Sequence, residues 1–109
     1  MARFGPIRPF ANIARAEERH IGALMQLYRR YGLAVPPPAP PVQPASLPDT
    51  PRELCERAVD AERANVALYD ARLLPQVSAY ADVRSVMQRL RDASRFNHLP
   101  AFQRCARRP

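Results

Sequence analysis

The sequence predicts an all-α bundle of three helices with a proline-rich connector, and three observations carry that expectation. Ile13, Glu17, His20, Leu24, Leu27 and Tyr31 recur at a 4-3-4-3-4 spacing, which draws one stripe along a helix. Thr50-Pro51-Arg52-Glu53 combines a threonine cap, proline at the first helical position and glutamate three residues after the cap. Val83, Val86, Met87, Leu90, Ser94 and His98 continue a helical repeat near the end of the chain.

At 109 residues, 47% hydrophobic and with 13 prolines against 3 glycines, the chain reads as one small domain spanning 1–109. A core of this size is modest, and a lone three-helix version is marginal. The first helix is expected over about 10–32. Asn12 is a candidate cap, Arg29 and Arg30 sit in the last turn where the helix dipole favours cations, and Gly32 suits the position just past the end. A connector over 35–49 follows, rich in Pro-Pro steps from Val35 to Pro48. It cannot continue a helix and favours an extended spacer. A ligand for a proline-binding module is the alternative, but no arginine set flanks its Pro-x-x-Pro core.

The second helix is expected over about 51–74, closed by Pro75. A short link then leads to Asp82 as cap of a third helix over about 82–107, with Pro100 implying a kink or break. So short a link makes these two helices antiparallel neighbours. A turn centred near residues 77 to 79 sets Glu62 level with roughly residues 92 to 96, about a turn from His98.

The formal charge of +7 comes from 17 basic residues, all arginine. Most recur singly along the predicted helices near Glu18, Glu56, Asp60 or Asp92, as on a solvated, salt-bridged face. No recognised motif or aromatic interleaving accompanies them, so no nucleic-acid partner is expected. No segment reaches the ~20 apolar residues needed to span a bilayer, so no membrane partner is expected either. Met1 to Pro9 hold no apolar run like a secretory signal, and the compartment is left open. Cys55 and Cys105 match neither a zinc nor a Cys-x-x-Cys pattern. In an antiparallel hairpin both fall toward the same end, where a disulfide is conceivable if the α-carbons come close enough.

The informative residues are polar groups on apolar faces. Glu17 and His20, three apart, are neighbours on one helix face, and a carboxylate with an imidazole at that spacing is an arrangement bundle metal sites use. Glu62 lies among Val59, Val66 and Tyr69 at helical spacing, with Asn65 one turn on. His98 points near the core stripe of the third helix. A buried carboxylate normally neutralises, pairs or binds a cation. The structural reading stands beside the metal one: Glu17 bonding His20, Glu62 pairing with Arg95 across the hairpin, and His98 satisfied within a core.

Phe10-Ala-Asn-Ile-Ala-Arg-Ala-Glu-Glu-Arg-His-Ile, with Leu27-Tyr-Arg-Arg-Tyr-Gly-Leu, resembles the second helix of a ferritin-like family of bacterial and archaeal domains without established function. Ala61-Glu-Arg-Ala-Asn-Val-Ala-Leu-Tyr-Asp and Ala93-Ser-Arg-Phe-Asn-His-Leu-Pro-Ala-Phe resemble its third and fourth. The resemblance implies a ferritin-like bundle with a carboxylate-bridged iron or manganese site held by Glu17, His20, Glu62 and His98. Hard oxygen donors with imidazole suit those metals, and ferroxidase-type activity of the complete protein is the family-level expectation. The chain departs from the pattern in two places. Arg95 stands where a second Glu-x-x-His would have its carboxylate. Phe4-Gly5-Pro6 resembles the turn after a first helix, so three helices of an expected four are present. Apolar faces left open that way imply self-association. A catalytically inert helical interaction domain with a structural polar core and no metal is the alternative.

Overall fold

A computed structural model describes residues 9–40 and 47–108. The Phe4-Gly5-Pro6 turn and residues 41–46 of the connector lie outside the described residues. The chain divides into two compact units, Met1–Pro48 and Asp49–Pro109. Every regular element among the described residues is helical, and none is long and apolar enough to cross a membrane.

The first unit holds α1, Phe10–Arg30. It starts ahead of Asn12, with Pro9 in the capping position and no side-chain cap. Asn12 is therefore inside the first turn, where its Oδ1 accepts a hydrogen bond from Arg15 and does not close the helix end. The other end follows expectation. Gly32 adopts a left-handed φ of 64°, Leu33 N–H donates to Tyr28 O at 2.9 Å, and Gly32 N–H donates to Arg29 O at 3.2 Å. These two bonds form a Schellman motif, which satisfies carbonyls that the helix end would otherwise orphan. Beyond it, Leu33 to Pro40 are exposed and without regular structure, in keeping with an extended spacer.

The second unit is a helical hairpin. Its first arm runs through α2 (Pro51–Leu68), a π turn (Tyr69–Leu73) and α3 (Leu74–Gln76). The second arm runs through α4 (Ala81–Asp92), a π turn (Ala93–His98) and α5 (Leu99–Ala106). Thr50 caps α2 as its sequence indicates: its Oγ1 accepts from Glu53 N–H at 3.1 Å. Asp82 is not the cap of the second arm. A tight turn in which Tyr80 N–H donates to Val77 O at 2.9 Å puts Tyr80 in that position, and Asp82 Oδ1 accepts from Val83 N–H at 2.8 Å within the first turn.

Neither proline breaks its arm. Proline removes the N–H bond to the carbonyl four residues back and crowds that carbonyl. For Pro75 and Pro100 the carbonyls concerned belong to Ala71 and Phe96, and both lie inside π turns. Each π turn is closed by the leucine just before the proline, Leu74 N–H bonding Tyr69 O and Leu99 N–H bonding Ser94 O. Widening the turn moves the obstructing carbonyl aside, so the helix passes through.

The arms pack α2 on α5, with Leu54, Val59, Val86, Leu90, Ala93 and Phe102 buried. At the open end Cys55 and Cys105 form a disulfide with α-carbons 5.9 Å apart, inside the usual span for a cystine. Closing a loop of 50 residues in the unfolded chain corresponds to about 4 kcal/mol in the chain-entropy model. Replacing both cysteines by alanine is expected to lower the unfolding free energy by about that much in urea titrations. Thr50→Ala should cost about 1 kcal/mol in the same assay, by stripping one capping acceptor.

Candidate functional site

The hairpin interior carries a polar layer built from both arms. On α2, Cys55, Val59, Glu62 and Val66 follow one another at three- and four-residue steps on a single face. On the second arm Leu90, Ser94, His98, Phe102 and Cys105 do the same, and all five are buried. The antiparallel packing brings these stripes together. His98 Nδ1 lies 3.5 Å from Glu62 Oε1, with side-chain exposures of 4% and 15%. One turn toward the loop, Asn65 Nδ2 donates to Ser94 Oγ at 2.9 Å. Glu62 Oε2 is buried without a hydrogen-bond partner among the described residues, a situation that costs about 1–3 kcal/mol for a polar atom and more for a charged one.

The register differs from the sequence expectation. Cys55–Cys105 and Glu62–His98 are placed symmetrically about Tyr80, so Glu62 faces His98 itself and not the segment 92 to 96. The link itself closes where expected, at Val77–Tyr80, and the pairing of the arms is centred just past it. Arg95, the alternative partner for Glu62, is exposed, with its guanidinium 5.4 Å from the Phe96 ring centroid.

On α1, Glu17 and His20 are neighbours as their spacing requires, with His20 Nδ1 3.7 Å from Glu17 Oε2. Glu17 is not enclosed, however: its side chain is 49% exposed, so it sits at the edge of the α1 stripe. Among the described residues no group of three or more His, Cys, Asp or Glu side chains converges as a metal cage. What the structure brings together is two carboxylate–imidazole pairs, one on each unit.

A further cross-arm contact was not foreseen. Arg91 grips Asp70 through both ends of its fork, Nε to Oδ1 at 2.9 Å and Nη2 to Oδ2 at 3.0 Å, and reaches Asp92 Oδ1 at 3.1 Å. The Arg91 hydrogen bonds hold the Asp70 carboxyl below its ordinary value, and the bonds to Asp70 first, then Asp92, push Arg91 upward. Only the register identifies this pair, because Asp70 lies in the first π turn and Arg91 in α4. Elsewhere, an open groove of about 350 Å³ is lined partly by Glu56, Asp60, Arg63 and Arg107 and contains none of the four expected metal donors.

The fold and layer define an all-α protein whose second unit is a disulfide-closed helical hairpin with a polar interior. No family model matches the chain, and no curated protein or solved structure does so either.

A group whose folded pKa is depressed contributes stability above the ordinary carboxylate range and loses it as pH falls through the folded value. Asp70 is such a group. The wild-type protein should therefore lose stability relative to Asp70→Asn as pH is lowered below about 4, and the difference between their unfolding midpoints should narrow. A parallel pH dependence in both proteins would show that the fork contributes nothing.

Proposed function

We propose that this chain is a ferritin-like metal-binding protein whose second unit supplies Glu62 and His98 to iron or manganese. The observation that supports this reading is the Glu62 carboxylate, largely enclosed and with its Oε2 buried. One oxygen lies against His98, and the other has no hydrogen-bond donor among the described residues, in a site where an isolated carboxylate is costly. A divalent cation answers that cost directly, and carboxylate oxygen with imidazole is a donor set suited to iron or manganese. Glu17 and His20 form the matching pair on α1. The resemblance of all three helical segments to the ferritin-like family agrees with this assignment.

In such a site Glu62 binds through its carboxylate oxygens, and His98 binds through a ring nitrogen in the neutral form. A bound iron would supply oxygen-dependent redox chemistry; the protein's part is to hold the two donors and to keep bulk water from them. The exposed cation at Arg95, where a further carboxylate is expected, argues for fewer protein donors than in a complete site.

A second reading has its own support. Asn65 and Ser94 satisfy each other one turn away, and Asp70 and Arg91 close a fork on the same seam, which is what a purely structural polar layer would do. In that reading the protein is a helical interaction domain. Ile21, Leu68 and Phe96 are large apolar side chains left exposed, and in either reading we propose that copies of the chain self-associate.

Protein purified without chelators is expected to contain iron or manganese by elemental analysis, and Glu62→Ala to lose most of it. Absence of both metals from the wild type, even after incubation with manganese(II) or anaerobic iron(II), would leave the structural reading in possession. Sedimentation equilibrium at micromolar concentration should show a species larger than one chain. A monodisperse monomer would count against self-association.

A further inference from the structure

We propose that the protein folds and resides in an oxidising, extracytoplasmic compartment, where a disulfide oxidant installs Cys55–Cys105 before the hairpin closes. The bond and its burial carry this whether or not a metal enters the polar layer.

The chain has two cysteines, and both are in the bond. Where that bond is stable and where it can be made are separate questions. The packed arms hold the α-carbons 5.9 Å apart, so in a folded, reduced chain the two thiols would lie close together and lack only an oxidant. Access is what the fold denies them. Cys55 is fully buried and Cys105 is 5% exposed, and their helical neighbours Leu54 and Phe102 are buried as well. Exchange needs a thiolate on the chain and an incoming sulfur within bonding distance of it. Apolar burial disfavours the thiolate, and the closed hairpin leaves an oxidant no approach.

The bond is therefore made on the open chain. One cysteine, as its thiolate, attacks the oxidant's disulfide, forming a mixed disulfide and expelling one oxidant sulfur. The other cysteine then attacks the chain sulfur of the mixed disulfide and expels the second. The chain gives up two electrons and two protons, and the oxidant leaves as a dithiol. Completing the second step means closing a loop of 50 residues, an entropic hurdle that leaves the mixed disulfide waiting. In a reducing thiol pool, ambient thiolates reverse it during that wait. In an oxidising pool the second cysteine resolves it. The state sealed in by folding is thus the state of the compartment in which the chain folds, and a stable cystine belongs to an oxidising one.

Size points the same way. A cross-link over a loop of that length shifts the balance of folded to unfolded chain by about a thousandfold, a large share of what a small domain has. Small domains with modest cores are where oxidising compartments concentrate structural cystines. The alternative is a pair of reduced, inert thiols packed as small apolar groups in a reducing compartment.

Two measurements separate these. Cells that make the protein are treated with N-ethylmaleimide to block free thiols and divided into cytoplasmic and extracytoplasmic fractions. The chain in each is then reduced and labelled with a polyethylene-glycol maleimide. Most of it should appear outside the cytoplasm and take up two labels, one for each cysteine protected by the bond. Residence of most of the chain in the cytoplasm would overturn the proposal, and so would a chain that takes up no label. In the second measurement, oxidised chain from the extracytoplasmic fraction is held in millimolar reduced glutathione, with and without denaturing urea. Opening of the cystine should be slower by about a hundredfold or more in the folded chain. Equal rates would show that folding does not seal the bond, and would overturn the order of events proposed. Neither measurement reads metal, so failure here is distinct from failure of the metal-binding reading.

Discussion

Axial register is the constraint on which the second unit depends. A hairpin of two amphipathic helices gains most of its stability from apolar contacts that vary slowly as one arm slides along the other, whereas polar contacts change identity with each turn. The structure places three polar cross-arm contacts and one covalent bond along a single seam. From the loop outward these are Arg91–Asp70, Asn65–Ser94, Glu62–His98 and Cys55–Cys105. All four agree with one alignment about Tyr80. The polar contacts distinguish that alignment from its neighbours, and the disulfide spans the arms in the same alignment.

The four members of the seam differ in what they contribute. The Arg91–Asp70 fork is partly solvated, and pairs of that kind contribute little to net stability even with bidentate geometry. Asn65–Ser94 is neutral and satisfied, so it costs little to bury and would cost more to disrupt. Glu62–His98 is the opposite case, because a largely enclosed carboxylate faces a buried imidazole with one oxygen lacking a partner among the described residues. That layer does not stabilise the hairpin by itself. Its cost is offset by the cystine and the apolar seam, and a site maintained at a cost is the usual place to look for a ligand.

Much of this was legible in the residues. The helical repeat, the Thr50 cap and the Gly32 terminus each depend on local chemistry within one turn of helix, and each appears where its side chains require it. The burial of His98 and the partial enclosure of Glu62 were legible from periodicity for the same reason. The features that escaped are those set by more than one turn at once. Asn12 and Asp82 have good capping side chains, but Pro9 and the Val77–Tyr80 turn started the helices earlier. Glu17 belongs to the α1 stripe by spacing, but a stripe has edges, and spacing does not say which member lies there. The pairing of Glu62 with His98 over Arg95 required the axial register of the two arms to within one turn, which the position of the link alone does not fix.

The π turn over Ala93–His98 explains how the polar layer fits. Glu62 and Asn65 are three residues apart on a regular α-helix, whereas their partners His98 and Ser94 are four apart. On two regular helices these steps depart from the shared face in opposite directions. An i→i+5 turn takes up about one residue more than an α turn, so Ser94 and His98 come round to the same face despite the extra step. The Leu99-Pro100 step supplies the cause: proline withholds the N–H that would close an α turn on Phe96, and Leu99 closes the wider one on Ser94 instead. A proline that reads in the sequence as a helix breaker thus accompanies the wider turn that carries both polar partners. Periodicity counted at 3.6 residues per turn passes over it, because the departure from that count is the feature that matters.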